Sequence, residues 1–281
     1  MKSLDLSGIS EHLTQGEAGI WVPTEHGSAV SISFPEAGYD ACFDLEDASF
    51  WFSHRNEVLS AALELHPFDG PFLDVGGGNG AVSRRLEADG IRTVMLEPGR
   101  DGARNARARG LPTVVCATLE QAAFASESFG GAGLFDVIEH VEDDGALLRA
   151  VRRVLRPNGV LAVTVPAYAW LWSAEDEAAG HHRRYTSTGL GRVLERAGFA
   201  VEYATYFFAP LTLPILLARS LRYRLGRRPS QEVWDEAGRH HTPSRGARTA
   251  MELLLGPELR RIRARKTMPF GTSCLALARA K

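Results

Sequence analysis

From Pro71 onward the chain alternates two periodicities. Apolar runs bounded by glycine, proline or acidic residues lie at 71–75, 91–96, 112–116, 132–137, 159–165, 200–208 and 272–279. Between them, apolar residues recur every three or four positions across 80–89, 100–109, 118–124, 142–155 and 187–197. Runs too uniformly apolar to have one wet face, separated by amphipathic stretches, predict parallel strands covered by helices on both sides. Arg156-Pro157-Asn158-Gly159 reads as the stop of the helix over 142–155. The expected fold class is α/β, a doubly wound, mostly parallel, Rossmann-like sheet of seven strands.

The flanks read differently. In the N-terminal extension (1–66), Gly19-Ile20-Trp21-Val22 and Ala29 to Phe34 predict two short strands around Pro23 to Gly27, and Pro35 to Gly38 a further turn. A helix is expected over 47–65, its aromatic start SFWFSHR at 49–55, with Trp51, serving either as core packing or as one wall of a substrate pocket. The main domain (67–281) carries an insertion at about 209–268, opening with the apolar stretch PLTLPILLARSLRYRL at 210–225. That stretch predicts a helical cap.

Composition narrows the classes. A net charge of −2 with 23% charged residues gives no global attraction to nucleic acid or to a membrane. Cys42, Cys116 and Cys274 are odd in number and far apart, so neither a disulfide framework nor a zinc site is indicated, and no metal is expected. No run reaches 18 apolar residues and the N-terminus has no apolar signal region, so the expected location is cytoplasmic, without stable membrane insertion. Peripheral contact stays open, because Arg222, Arg224, Arg227 and Arg228 end the 210–225 stretch and Arg260 to Lys266 is a second basic cluster.

The candidate chemistry centres on LDVGGGNG, Leu73 to Gly80. An apolar run ends in Asp74, glycines follow at 76, 77, 78 and 80, and a helical pattern begins at Ala81. A turn without β-carbons lets backbone approach a ligand, and the unpaired N–H groups of the following helix face it. Glu97, 21 residues after Gly76 at the end of the next strand, can accept both hydroxyls of a ribose. Asp74 would repel a pyrophosphate but suits a ligand with an ammonium or sulfonium centre. Ligands of such sheets bind beyond the carboxyl ends of the strands, which brings Asp74, Glu97, Asp136 and the segment after Val165 to one edge.

The pattern D-x-G-x-G-x-G at 74–80 resembles motif I of class I S-adenosylmethionine-dependent methyltransferases. LFDVIEHVEDD at 134–144, LLRAVRRVLRPNGVLAVTVPA at 147–167 and GHHRRYT at 180–186 resemble the bacterial ubiquinone-biosynthesis-like group of small-molecule enzymes. The resemblance implies methyl transfer from S-adenosylmethionine to a small organic acceptor, releasing S-adenosylhomocysteine. By it, Gly76, Gly77, Gly78 and Gly80 line the methionine part and Glu97 holds the ribose, with Thr118, Leu119 and Asp136 completing the cofactor site. Two departures stand out. Cys116-Ala117-Thr118-Leu119 lacks the acid that usually bonds adenine, leaving the backbone N–H groups at 118 and 119, and Gly130, Gly131 and Gly133 open the fourth strand.

Methyl transfer is an in-line displacement, so alignment and exclusion of water come first, and a general base matters only for a poor nucleophile. His140 is placed either to take a proton from an acceptor or to brace its loop. His181 and Tyr185 are either acceptor contacts of a lid or parts of a structural network. Tyr168 and Trp172 would supply an apolar wall, and Arg183 and Arg184 would grip an anionic end or pair with Asp176. Two rivals stand beside this reading: a nicotinamide-dependent dehydrogenase, which Asp74 disfavours, and a cofactor-binding subunit without transfer activity.

Overall fold

The computed structural model describes residues 3–24, 36–226 and 245–281. Nine strands form one sheet: β1 (Leu13–Gln15), β2 (Trp21–Pro23), β3 (Phe72–Val75), β4 (Thr93–Leu96), β5 (Val114–Val115), β6 (Phe129–Phe135), β7 (Leu155–Pro166), β8 (Phe199–Phe207) and β9 (Ser273–Ala280). Their order is β1-β2-β5-β4-β3-β6-β7-β9-β8. Pairing is parallel from β2 to β7, while β1 is antiparallel to β2 and β9 is antiparallel to both β7 and β8. The chain runs outward through β3, β4 and β5, then returns to lay β6 on the other side of β3. A crevice opens where the order reverses, at the carboxyl ends of β3 and β6.

Helices α1 (Glu36–Ala48), α2 (Phe50–Glu64), α3 (Ala81–Ala88), α4 (Arg100–Ala108), α5 (Leu119–Ala122), α6 (Asp144–Val154), α7 (Ala174–Ala179) and α8 (Ser187–Arg196) surround the sheet. Several start where a side chain can satisfy orphan N–H groups. Ser49 caps α2, Asp143 caps α6 and Thr186 caps α8. Between β8 and β9, Thr212–Ile215, a π-helical turn Leu216–Ser220 and Leu221–Arg224 run on as one helix, α9, and α10 is Arg245–Arg263. Among the described residues no helix is long and apolar enough to cross a membrane.

The sheet exceeds the expected seven strands because a hairpin, β1–β2, extends its edge through the pairing of Trp21 with Val115. The expected strand at 29–34 lies outside the described residues. Glu36–Ala48 is a helix rather than a turn and loop, with Tyr39, Cys42, Phe43 and Glu46 at helical spacing, and α2 starts after Ser49 instead of at 47. Asn158-Gly159 does not close α6. That helix ends at Val154, and Arg156 to Gly159 form an irregularity between Leu155, paired with Phe129, and Val160, paired with Gly131. The glycines of β6 have a packing reason. A β-carbon at Gly130 would lie 1.9 Å from the Asp69 carbonyl oxygen, and at Gly133 2.3 Å from the Phe135 ring.

Candidate functional site

The crevice at the carboxyl ends of β3 and β6 is a cavity of about 510 Å³. At one end lies the glycine turn. Gly78 has φ +56°, and a β-carbon there would meet nothing within 4 Å, so this position both needs glycine and faces open space. Gly80 is the left-handed N-cap of α3, where a β-carbon would strike Leu111 and Ala106, and it does not line the cavity. Gly76 and Gly77 line it. Asp74, 1% exposed, accepts a 2.6 Å hydrogen bond from Ser83 Oγ, and burial pushes its carboxyl up to about 6.

Glu97 directly follows β4 and is 3% exposed. Its Oε1 accepts from Gly99 N at 2.7 Å and from the Tyr39 hydroxyl at 2.8 Å, and its Oε2 accepts from Gly78 N at 2.8 Å. The acid therefore ties three segments together at the expected ribose position. Burial outweighs these bonds and lifts its carboxyl to about 7. Thr118 and Leu119 line the cavity beyond it, but the Thr118 N–H is spent on Gln121 Oε1 at 3.0 Å in a capping box. The expectation that this N–H faces adenine is overturned, because α5 begins at Leu119 and its first turn consumes the donor.

Asp136 follows β6 with φ +58°, uncommon for a residue with a side chain. Arg55 of α2 donates to its Oδ2 at 2.8 Å and Thr164 Oγ1 to its Oδ1 at 3.2 Å. Beyond it, the 3-10 turn Ile138–His140 carries His140 to the cavity wall, where its ring meets His181 edge-on, 4.6 Å between centroids. Burial, then His181, lowers His140 to about 4, so it is neutral at physiological pH. His181 Nδ1 lies 2.8 Å from Asp176 Oδ1, which orients the ring. Glu139 is fully buried beside them, and burial, then Asp136, holds its carboxyl well above the ordinary range. Glu139, His140 and His181 offer ligand-type atoms within 4.8 Å of one another and form the group among the described residues that could hold a metal ion.

Trp51 joins this end of the cavity and stacks on Phe208 at 3.8 Å. Tyr168, Trp172, Arg183, Arg184 and Tyr185 do not line the cavity. Arg184 makes two bonds to Asp176, at 2.7 and 2.9 Å, and donates to the Ala167 carbonyl. Arg183 bonds Asp144 and the Glu142 carbonyl, and the buried Tyr185 hydroxyl donates to Asp144 at 2.7 Å. Tyr168 is sandwiched between Trp170 and Tyr206. Tyr39, Cys42 and Glu46 also stand on the wall, where the sequence carried no expectation, whereas Phe52 and Arg55 belong to the 49–55 stretch expected either in the core or in a pocket wall. The i, i+3, i+4 spacing of Tyr39, Cys42 and Phe43 was the available signal for α1. The partner of Arg55 was not legible locally, because Asp136 lies 81 residues away.

A methyltransferase domain matches residues 50–204, over half of the chain. A Mycolicibacterium smegmatis protein named as a probable S-adenosylmethionine-dependent methyltransferase is 27% identical over 217 residues, 74% of this chain and 84% of that one. The ubiquinone biosynthesis O-methyltransferase of Vibrio parahaemolyticus is 28% identical over 127 residues, 42% of this chain and 54% of that one. The fold is similar to a solved S-adenosylmethionine-dependent methyltransferase of Thermotoga maritima, with a TM-score of 0.55 at 17% identity, covering 87% of this chain and 95% of that one.

Proposed function

This chain belongs to the class I S-adenosylmethionine-dependent methyltransferases, and we propose that its acceptor is a small organic molecule seated between Trp51, Phe52 and Arg55 on one side and His140 and His181 on the other. The observation that carries this reading is one continuous cavity joining the glycine turn and Glu97 to the histidine pair. When bound, S-adenosylmethionine supplies a methyl on a cationic sulfur, and S-adenosylhomocysteine leaves as a neutral thioether. The chain's own work is then placement. Gly76 to Gly78 and Asp74 hold the methionine end, Glu97 the ribose, and Ala117, Thr118 and Leu119 wall the adenine.

His140 is the general base in this reading. It is neutral at physiological pH, lines the cavity and can take a proton from an acceptor hydroxyl or amine. His181, held by Asp176, keeps the His140 ring in place. The apolar wall of Trp51, Phe52, Val141 and Leu147 suits a hydrophobic acceptor body, and Arg55, whose Nη1 is held by Asp136 while its Nε has no hydrogen-bond partner among the described residues, is the lining cation for an anionic or hydrogen-bonding end. Arg183, Arg184 and Tyr185 position the loop rather than grip the acceptor, because their polar atoms are engaged with Asp144, Asp176 and backbone. Neither a nicotinamide-dependent dehydrogenase nor a non-catalytic binder is favoured by the relatives.

The test is release of S-adenosylhomocysteine across a panel of phenols, amines and carboxylic acids. With an accepted substrate, His140→Gln should lower kcat by about 10²–10⁴-fold while S-adenosylmethionine affinity is unchanged. An unaltered kcat would remove the base from the mechanism. Failure of every acceptor despite tight cofactor binding would favour the non-catalytic alternative.

A further inference from the structure

Helix α9 packs Ile215 on the core but leaves a row of leucines outside. Leu213, Leu217, Leu221 and the adjoining Leu225 are 61, 53, 42 and 66% exposed. Four of its polar side chains face the protein. Ser220 is fully buried and donates to the Leu171 carbonyl at 2.8 Å, Thr212 is buried, Arg219 pairs with Glu175, and the Tyr223 hydroxyl donates to Glu177. A helix serving only as a pocket cap would turn its leucines inward, since burial of apolar surface is what drives docking.

The π turn has a consequence for this row. Four residues advance an α-helix by about 400°, so leucines at spacing four drift by about 40° per step. The wider turn at Leu216–Ser220 holds more residues and takes back part of that drift, keeping the row along one side. At its end Arg222 and Arg224 are exposed, and Arg224 donates to the carbonyl of Trp170, itself 40% exposed. Leucines in a row, an aromatic ring beside them and arginines at the end match the composition of helices that lie in a membrane interface.

We propose that α9 docks on an anionic lipid surface, with the leucine row in the outer acyl layer, Trp170 at headgroup level, and Arg222 and Arg224 on the phosphates. The charge pattern favours this occupant, because the chain as a whole is at −2 and only a local cationic group can be drawn to anionic lipid. The dimensions favour it too. An interfacial helix needs only its own apolar face, which a single row of leucines supplies.

The experiment is vesicle flotation of the full chain with phosphatidylcholine alone and with a phosphatidylcholine–phosphatidylglycerol mixture, at low and high salt. Binding to the mixture, weakened by salt and weaker on phosphatidylcholine alone, is expected. Leu217→Glu with Leu221→Glu should reduce partitioning at least about tenfold, and Arg222→Gln with Arg224→Gln should reduce binding to the mixture only. The milder pair Leu217→Ser with Leu221→Ser, and S-adenosylmethionine titration of every variant, separate lost docking from lost fold. No flotation with either vesicle, or flotation indifferent to the leucine changes, overturns the proposal. So does a dimer in sedimentation equilibrium that the same leucine changes dissociate while vesicles go unbound, which would make a second copy the occupant.

Discussion

Glu97 is the proposed ribose contact and is also built into the fold. It accepts from Tyr39, Gly99 and Gly78, so replacing it with alanine would loosen the turn as well as the cofactor. Glu97→Gln keeps the size and the bonds to one oxygen, turns an NH2 toward the Gly78 N–H, removes the charge, and should weaken S-adenosylmethionine by about 1.5–3 kcal/mol, the range for hydrogen bonds to a charged group. Calorimetry showing unchanged affinity would refute the ribose assignment. The buried carboxyls also predict a pH dependence. Glu97 at about 7 and Asp74 at about 6 are raised by burial, and a sulfonium ligand with a ribose diol favours their ionised forms. Binding should therefore release protons, with affinity rising as pH climbs towards about 7. Titrations near pH 6.5 in two buffers of different ionisation enthalpy would differ, and equal heats would defeat the idea. The same groups stabilise the ligand-free fold most at acid pH. A raised carboxyl contributes fully below its unfolded value and loses that contribution as pH rises through the folded one. At Gly78, valine would meet a left-handed backbone and fill the open cavity, so Gly78→Val should abolish cofactor binding while leaving the circular dichroism spectrum intact.

The loop from Pro166 to Tyr185 is the element whose role the side-chain geometry redirects. Its two arginines follow two histidines and sit near an aromatic segment, a pattern as suited to gripping an anion as to internal pairing. Their bonds run inward. Burial alone would raise Asp176, but hydrogen bonds from His181 and Arg184 hold it down at about 2. This pair is mostly shielded from water, with Asp176 fully buried and Arg184 11% exposed at their side chains. Arg184→Gln should therefore cost stability, about 3–5 kcal/mol for a buried pair broken on one side, with S-adenosylmethionine affinity preserved. A thermal melt that does not move, together with a raised acceptor KM, would return Arg184 to the acceptor. Because the folded value of Asp176 is depressed, its contribution is present above about 3.8 and is lost as pH falls towards about 2.

At the scale of the molecule, one buried acid joins distant parts of the chain. Glu258 of α10, 2% exposed, accepts from the N–H of Phe208 at 2.8 Å and of Ala209 at 2.9 Å, and its Oε1 lies 2.8 Å from His54 Nε2 on α2. The insertion before β9 is thereby tied to α2, which presents Trp51 and Arg55 to the cavity. Glu258→Ala should destabilise the chain by about 2–4 kcal/mol, since buried backbone donors lose their partner. It should also weaken acceptor binding more than cofactor binding. A variant with native melting temperature would show that α2 does not depend on this contact.

What the sequence determined by itself is the part written in local periodicity and in one turn. The strands from β3 onward and helices α3, α4, α5, α6 and α8 follow from apolar runs alternating with helical faces, and the left-handed turn after Asp74 follows from its glycines. These signals are local because strand burial, helix amphipathy and left-handed glycine are properties of a few consecutive residues. The tertiary structure decided the rest. Tyr39 on Glu97, Arg55 on Asp136, and Arg184 on Asp176 rather than in the cavity are choices among partners, and Arg55 could have served a helix face or a pocket equally well by sequence. The same holds for the leucines of α9. Their spacing predicts an apolar face, but only packing decides whether that face turns to the protein or, as here, away from it.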